Sequence, residues 1–118
     1  MCGIIGISSN KSVSNSIINS LKKLEYRGYD SAGIATLSNG LINEVKSKGR
    51  VENLENNFNL KNLSGNIGIG HVRWATHGVP NSVNAHPHSS DNVSVVHNGI
   101  IENSTLLKKY LLNKGHKF

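Results

Sequence analysis

The sequence begins with MCGIIGIS (residues 1–8), and Cys2 is the only cysteine of the chain. The apolar run after Cys2 is rich in isoleucine and is typical of a buried strand. A single cysteine is often a small buried hydrophobe without a chemical role. Removal of Met1 would instead make Cys2 the amino terminus, where its own α-amino group could act as the base for a nucleophilic thiol. The first eight residues leave both interpretations of Cys2 open.

A helix is predicted directly after this strand. In SVSNSIINSLKKLEYRG (12–28), apolar residues recur at helical spacing and form one face of the predicted helix. Ser12 or Ser14 can cap its start, and Gly28 suits its end. The apolar face consists of Val13, Ile17, Ile18, Leu21 and Leu24.

A hairpin is predicted next, because AGIATLS (32–38) and LINEVKSK (41–48) flank the dipeptide Asn39-Gly40, a strong signal for a two-residue turn. The whole order of predicted elements is β-α-β-β-α-β-β-α, which indicates a mixed sheet with helices packed on it. The elements after the hairpin are a short helix in 51–58, a strand in 66–76 that runs into a loop, a strand in 93–99, and a helix in 102–118 with Leu106, Leu107, Tyr110 and Leu111 facing inward and Gly115 as its stop.

The composition is that of one ordinary globular domain. The 118 residues are 36% hydrophobic and 17% charged, and no apolar run is long enough to cross a bilayer. The net charge of +6 is scattered, and aromatic residues make up only 5%, which argues against a nucleic-acid-binding surface. The first residues lack the features of a secretory signal, and one cysteine cannot form an internal disulfide. A cytoplasmic location is therefore expected, with no membrane and no nucleic-acid partner.

Two later stretches carry residue types that suit binding and catalysis. In RWATHG (73–78), the planar guanidinium of Arg73 suits a carboxylate, Thr76 supplies a donor, and Trp74 could close over a small substrate. In HNG (97–99), the asparagine side chain and the glycine backbone N–H could both point at one developing oxyanion. A plain surface loop and a plain Asn-Gly turn are the alternatives for these stretches.

Histidines at positions 71, 77, 86, 88 and 97 could in principle bind zinc. No second thiol and no HExxH or Cys-x-x-Cys pattern accompanies them, so no metal site is expected. His86 and His88, on either side of a proline in NAHPH (84–88), are interpreted as residues that shape a loop. No Walker loop or GxGxxG follows a strand, and no cofactor is expected.

YRGYDSAG (26–33) follows the first predicted helix and contains two opposite charges. Arg27 and Asp30 could form a buried ion pair. Arg27 could instead help to shape the pocket around Cys2, and the residues leave both interpretations open.

Taken together, MCGIIG, YRGYDSAG, RWATHG, NAHPH and VHNGIIEN closely resemble, in this order and at these spacings, the class II glutamine amidotransferases. The branch that acts on fructose 6-phosphate fits best, since relatives that act on phosphoribosyl pyrophosphate typically carry HRGQDSAG and a Tyr-Ser-Thr version of the arginine loop. The resemblance covers residues 1–118 and implies the N-terminal part of a glutaminase domain. The implied fold is α+β, an N-terminal-nucleophile hydrolase sandwich (αββα) of which only the N-terminal part is present.

The resemblance implies the catalytic residues. Once Met1 is lost, Cys2 would attack the side-chain amide of glutamine with its own α-amine as base. Asn98 and Gly99 would hold the oxyanion of the tetrahedral intermediate. Collapse would release ammonia and leave a thioester, which water hydrolyses to glutamate.

The resemblance also implies binding and supporting residues. Arg73 would hold the α-carboxylate of glutamine. The other implied binding residues are Trp74, Thr76 and His77, and the implied supporting residues are Arg27, Gly28 and His86.

The function that follows from the resemblance is the supply of ammonia for converting fructose 6-phosphate to glucosamine 6-phosphate, a step of hexosamine biosynthesis. The expected partners are L-glutamine and, through sugar-isomerase domains that these residues lack, fructose 6-phosphate. The full-length enzyme would be a homodimer. The Thr-Asp-Thr segment that receives the substrate's α-ammonium in the family is also absent from these residues. The alternatives are a class II amidotransferase with another acceptor, such as phosphoribosyl pyrophosphate, and a non-catalytic module that binds glutamine.

Overall fold

A four-stranded sheet forms the centre of the fold in the computed structural model, which describes residues 1–60, 63–75 and 79–118. The predicted elements are all found, with one additional strand before the last predicted one and a 3₁₀ turn, Glu25–Arg27, after the first helix. In chain order the elements are β1 (Gly3–Ser8), α1 (Ser14–Leu24), β2 (Ser31–Ser38), β3 (Leu41–Lys48), α2 (Glu52–Asn57), β4 (Ile67–Arg73), β5 (His88–Ser90), β6 (Val93–Val95) and α3 (Ser104–Asn113).

The hairpin between β2 and β3 is confirmed. Asn39 and Gly40 both have positive φ, 51° and 75°, and form the two-residue turn that places Ser38 opposite Leu41. Asparagine and glycine are the residues that adopt this backbone conformation most readily, and its twist matches that of the two strands.

The prediction of a mixed sheet is wrong for the described strands, because every pair is antiparallel. The strand order is β1-β4-β2-β3. β1 and β2, which α1 connects, would form a parallel pair if they were neighbours. Instead β4 lies between them, runs opposite to both, and pairs with β1 at Gly3↔Val72 and with β2 at Ser31↔Arg73.

One face of the sheet carries the hydrophobic core. Ile17 and Leu21 of α1 are completely buried, as are Ile34 of β2 and Val72 of β4. Leu54 of α2 joins the same cluster. Burying a side chain of this size contributes roughly 1.5–3 kcal/mol to the free energy of folding, so this face holds α1 and α2 on the sheet.

The predicted serine caps of α1 are wrong. The N-cap residue is Val13, and no side chain caps the helix. A tertiary hydrogen bond fixes the start of α1 instead. The backbone N–H of Val13 donates to the carbonyl of Gly65 at 3.0 Å, which connects the helix to the segment before β4. Gly28 ends the helical segment as predicted, after the 3₁₀ turn.

The prediction that the last helix faces inward is also wrong among the described residues. α3 buries none of its residues, and Leu106 and Tyr110 are 72% and 59% exposed. Leu107 is exposed and Leu111 is half-buried. The apolar face of α3 exists, but no described element lies close enough to cover it.

The second face of the sheet carries the polar and histidine side chains. Because side chains alternate along a strand, His71 and Arg73 of β4 point away from the core that Val72 joins. The additional strand β5 pairs with β6 in a small hairpin on this side, where the hydroxyl of Ser89 donates to the carboxylate of Glu44. Within the described residues, no helix has both the length and the apolar character needed to cross a membrane.

Candidate active site

Cys2 lies immediately before β1, and the pairing of β1 with β4 fixes its position. Since Gly3 is opposite Val72, Cys2 comes to the end of β4, beside Arg73 and Trp74. The backbone N–H of Trp74 donates to Sγ of Cys2 at 3.3 Å, and the thiol donates to the Trp74 carbonyl at 3.7 Å. The half-buried thiol is thus held at a strand end while remaining accessible from solvent.

The carbonyl oxygen of Cys2 is held from two directions. Nε of Arg27 donates to it at 2.9 Å, and Nδ2 of Asn98 donates to it at 3.1 Å. Of the two interpretations of Arg27, the one that places it at the Cys2 pocket is therefore correct. Asp30 accepts hydrogen bonds from the hydroxyl of Ser31 and from the backbone N–H of Ala75 instead.

Gly28 supports the end of β4 by its lack of a side chain. A Cβ at this position would lie 2.5 Å from the carbonyl carbon of Arg73 and 2.6 Å from the backbone nitrogen of Trp74. The next turn of chain adds a hydrogen bond from the backbone N–H of Asp30 to the Arg73 carbonyl, at 3.1 Å. The YRGYDSAG segment thereby fixes the backbone that contacts the thiol.

Asn98 and Gly99 follow β6 and lie beside Cys2. The side-chain oxygen of Asn98 lies 2.8 Å from Nε2 of His71, on the strand next to β1. Gly99 has a φ of 148°, a conformation that strains any residue with a Cβ. The Asn-Gly pair is therefore placed beside Cys2 by a backbone turn that requires the glycine.

A cavity of about 290 Å³ opens beside the thiol. Arg73, only 7% exposed, lines it and donates from Nη1 to the carbonyl of Val79 at 3.4 Å. Trp74 also lines it, and its half-exposed indole contacts the ring of Tyr29 edge-on at 6.0 Å. The complete lining is Cys2, His71, Arg73, Trp74, His86, His97, Gly99 and Ile100.

Three histidine rings lie in a row at one side of the cavity, and two of them, His71 and His86, line it. The buried ring of His71 stacks on His86 at 4.5 Å, and His86 contacts His88 edge-on at 4.5 Å. Burial is the main cause that lowers the pKa of His71 and His88, and it lowers the pKa of His86 to about 4, with the neighbouring histidines adding to that shift. These rings are neutral at neutral pH.

His86 shapes its loop as predicted, because its Nδ1 accepts a hydrogen bond from the backbone N–H of His97 at 3.3 Å. The described ranges contain no group of three or more His, Cys, Asp or Glu side chains placed to hold a metal ion.

The structure brings together the candidate residues that it describes: Cys2, Arg27, Gly28, Arg73, Trp74, His86, Asn98 and Gly99. Thr76 and His77 lie outside the described residues. His71 was expected only as a possible metal ligand, and its contact with Asn98 was not predicted. The alternation of side chains on the predicted strand was the available signal, since it places His71 on the same face as Arg73.

The chain is similar over its full length to curated glutamine–fructose-6-phosphate aminotransferases (isomerizing). It is 58% identical to the enzyme of Clostridium acetobutylicum over 120 residues, 55% identical to that of Pyrococcus horikoshii and 53% identical to that of Mesorhizobium japonicum. It covers 20%, 20% and 19% of them, so the chain spans about a fifth of the length of these relatives. No protein-family model matches the chain.

Two solved structures share the fold over the whole chain. The glutamine phosphoribosylpyrophosphate amidotransferase of B. subtilis, complexed with ADP and GMP, superposes with a TM-score of 0.80 at 29% identity, and the chain covers 26% of it. A structure described as the allosteric regulatory enzyme of purine biosynthesis gives a TM-score of 0.83 at 30% identity, again with 26% of that chain covered.

The fold is that of these amidotransferases, the α+β architecture of an N-terminal-nucleophile hydrolase, as the resemblance implied. Over its whole length the chain is similar, at 53–58% identity, to a segment of the glutamine–fructose-6-phosphate aminotransferases.

The histidine row predicts a stability that depends on pH. Folded His86 stays neutral down to a pKa of about 4, whereas an unfolded histidine binds a proton near its ordinary pKa of about 6.5. The unfolded chain therefore gains protons first, and stability falls as the pH is lowered from about 6.5 to about 4. His71 and His88, whose pKa values are lowered in the same direction, add to the effect with the same sign.

Thermal unfolding midpoints of the intact protein, measured across this pH range, test this. In His86→Asn the side-chain oxygen can replace Nδ1 as the acceptor for His97, and no titrating ring remains at position 86, although His71 and His88 are still present. We expect its midpoint to fall less on acidification than that of the wild type. His116→Asn, in the exposed tail, should keep the wild-type slope. Parallel curves for the wild type and His86→Asn would contradict the assignment.

Proposed function

We propose that residues 1–118 are the N-terminal part of a glutaminase domain that hydrolyses glutamine through a Cys2 thioester. The ammonia would convert fructose 6-phosphate to glucosamine 6-phosphate on sugar-isomerase domains outside these residues. The observation that carries the proposal is the convergence of three contacts on Cys2: Arg27 and Asn98 donate to its carbonyl oxygen, and the backbone at the end of β4 donates to its sulfur. The identity of 52–58% to aminotransferases of this name supports the choice of acceptor.

The base in the proposed reaction is the α-amine of Cys2. In this chain that nitrogen is in a peptide bond with Met1, whose side chain and backbone are 77% exposed and therefore accessible to an aminopeptidase. Once Met1 is removed, the amine takes the thiol proton, and the sulfur attacks the side-chain carbonyl carbon of glutamine. The C–N bond then breaks, and the departing nitrogen takes the proton from the α-ammonium to leave as ammonia. Water hydrolyses the thioester to glutamate and restores the thiol.

Asn98 and Gly99 are the proposed oxyanion donors. A side-chain amide carries two N–H groups, and one of those on Asn98 is directed at the Cys2 carbonyl. The second N–H and the backbone N–H of Gly99 would then face the oxygen that becomes negative when the sulfur attacks. Donors fixed in place before the reaction stabilise this charge without reorganisation.

Arg73 is the proposed partner of the substrate's α-carboxylate. Its guanidinium is buried at the cavity that contains the thiol, and burial strengthens a charge-assisted hydrogen bond. Trp74 would cover the bound substrate from the same side, and Thr76 and His77 remain proposed binding residues on the resemblance alone. Arg27, Gly28 and His86 would support the site through the backbone contacts described above.

The setting of the proposed enzyme is the cytoplasm, where a single unpaired cysteine stays reduced. The intact enzyme would act as a homodimer. An acceptor other than fructose 6-phosphate, such as phosphoribosyl pyrophosphate, is the alternative that the product of the intact protein would reveal.

Replacing the nucleophile should separate chemistry from binding. Cys2→Ala in the intact protein is expected to lower glutamine-dependent ammonia release by at least about 10³-fold, because no thioester can form. Glutamine binding, measured by calorimetry, should change only a few-fold, since the arginine that holds the carboxylate is untouched. Loss of binding in a folded variant, or retained ammonia release, would exclude the proposed role of Cys2. Glutamine binding without turnover by the unaltered protein would favour the non-catalytic alternative.

Substitutions at the proposed oxyanion site and at the proposed carboxylate site should change different kinetic constants. Asn98→Ala is expected to lower kcat by about 10²–10³-fold with little change in KM, because the oxyanion exists only near the transition state. Arg73→Lys is expected mainly to raise KM, by roughly 10–100-fold, since an ammonium group cannot replace two parallel hydrogen bonds. Asn92→Ala, at an exposed turn, serves as the control and should leave both constants unchanged. A pure KM effect of Asn98→Ala would place that residue in substrate binding instead.

A further inference from the structure

Asn98 can act as proposed only if its amide is oriented one way. In the structure Nδ2 is 3.1 Å from the Cys2 carbonyl oxygen, and Oδ1 is 2.8 Å from Nε2 of His71. A rotation of the amide by half a turn would bring two oxygens together at Cys2 and would remove the donor from the reacting centre. The contact with Cys2 alone is a weak restraint, because that carbonyl also accepts a hydrogen bond from Arg27.

The ring of His71 supplies the second restraint. His71 has no exposed surface, and burial lowers its pKa, so the ring is neutral. A neutral imidazole carries one N–H, and Oδ1 of Asn98 is an acceptor, so the proton is on Nε2. The other nitrogen, Nδ1, makes no hydrogen bond of standard geometry among the described residues, although the backbone of His97 lies near enough to the ring to raise its pKa. The hydrogen bond to Asn98, at 2.8 Å, is the one of standard geometry that favours this tautomer.

The ring of His71 is also fixed in position. The residue lies within β4, whose backbone is paired on both sides, with Ile4 of β1 and with Gly33 of β2. Its ring stacks on His86 with an interplanar angle of 24°. A buried imidazole ring of which one nitrogen lacks a well-formed hydrogen bond lowers the stability of the fold. The geometry of the ring is suited to holding one acceptor, the side-chain oxygen of Asn98.

We propose that His71 is a positioning residue, whose Nε2–H holds the amide of Asn98 with its N–H groups toward Cys2 and the developing oxyanion. This role rests on the proposed glutaminase function. It adds to that function a residue that acts through Asn98 and not through the substrate's carboxylate. The contribution of His71 should therefore appear in the transition state and should vanish when Asn98 is absent.

The test is a double-mutant cycle in the intact protein. His71→Leu removes the donor and retains an apolar side chain in the buried place. We expect kcat for glutamine hydrolysis to fall about 10-fold or more, with KM within about twofold of the wild type. In the Asn98→Ala background the same substitution should lower kcat by less than about twofold, because the group it positions is gone. His71→Gln, whose amide nitrogen can reach the place of Nε2, should recover most of the activity.

The outcomes distinguish this inference from the function on which it rests. An active wild type together with an unchanged kcat in His71→Leu overturns the positioning role alone. Equal losses in the presence and absence of Asn98 also overturn it, since they indicate a structural effect independent of that residue. A wild type that releases no ammonia from glutamine overturns both proposals. If His71→Leu fails to fold, His71→Phe, which keeps a ring against His86, is used in the same cycle, and His116→Leu is the exposed control.

Discussion

The antiparallel pairing of β1 with β4 is the interaction on which the site depends. It places Gly3 opposite Val72, and this register brings the residue before β1 to the residues that follow β4. A slip of one residue would turn every side chain of β1 to the other face and would separate Sγ of Cys2 from the backbone of Trp74. The core on the opposite face keeps this register, because α1 buries Ile17 and Leu21 against the same two strands. The packing of one face of the sheet thus determines the chemistry on the other.

Around that register, the site is held mainly by backbone atoms and by neutral polar groups. The thiol contacts the Trp74 backbone, and the Cys2 carbonyl accepts hydrogen bonds from Arg27 and Asn98. Because Gly28 has no side chain, the backbone at the end of β4 approaches it more closely than any other residue would allow. The histidines at one side of the cavity are neutral, so the positive charge at the cavity comes from arginine. A site of this kind can bind a carboxylate and still stabilise a negative oxygen beside the thiol.

The elements, and the grouping of the described candidate residues around Cys2, follow from the sequence, and the wrong predictions have physical reasons. The Asn39-Gly40 turn and the face of α1 were predicted because each depends on local chemistry alone. The mixed sheet was wrong because the insertion of β4 between β1 and β2 is a long-range pairing that no local pattern encodes. The serine caps were wrong because a tertiary contact to Gly65 replaced them. His71 was missed because its role depends on Asn98, 27 residues away in the chain.

If Cys2 becomes an amino-terminal nucleophile in a formed glutamine pocket, a single mass spectrum can show both the new amino terminus and the pocket. The intact protein is treated with an electrophilic analogue of glutamine, and its mass is measured with and without excess glutamine. We expect loss of Met1 and a single adduct on Cys2, and we expect excess glutamine to prevent the adduct. A protein that retains Met1 would lack the base, and one that lacks Met1 but stays unlabelled would lack the pocket. Either result would contradict the proposed role of Cys2 as an amino-terminal nucleophile.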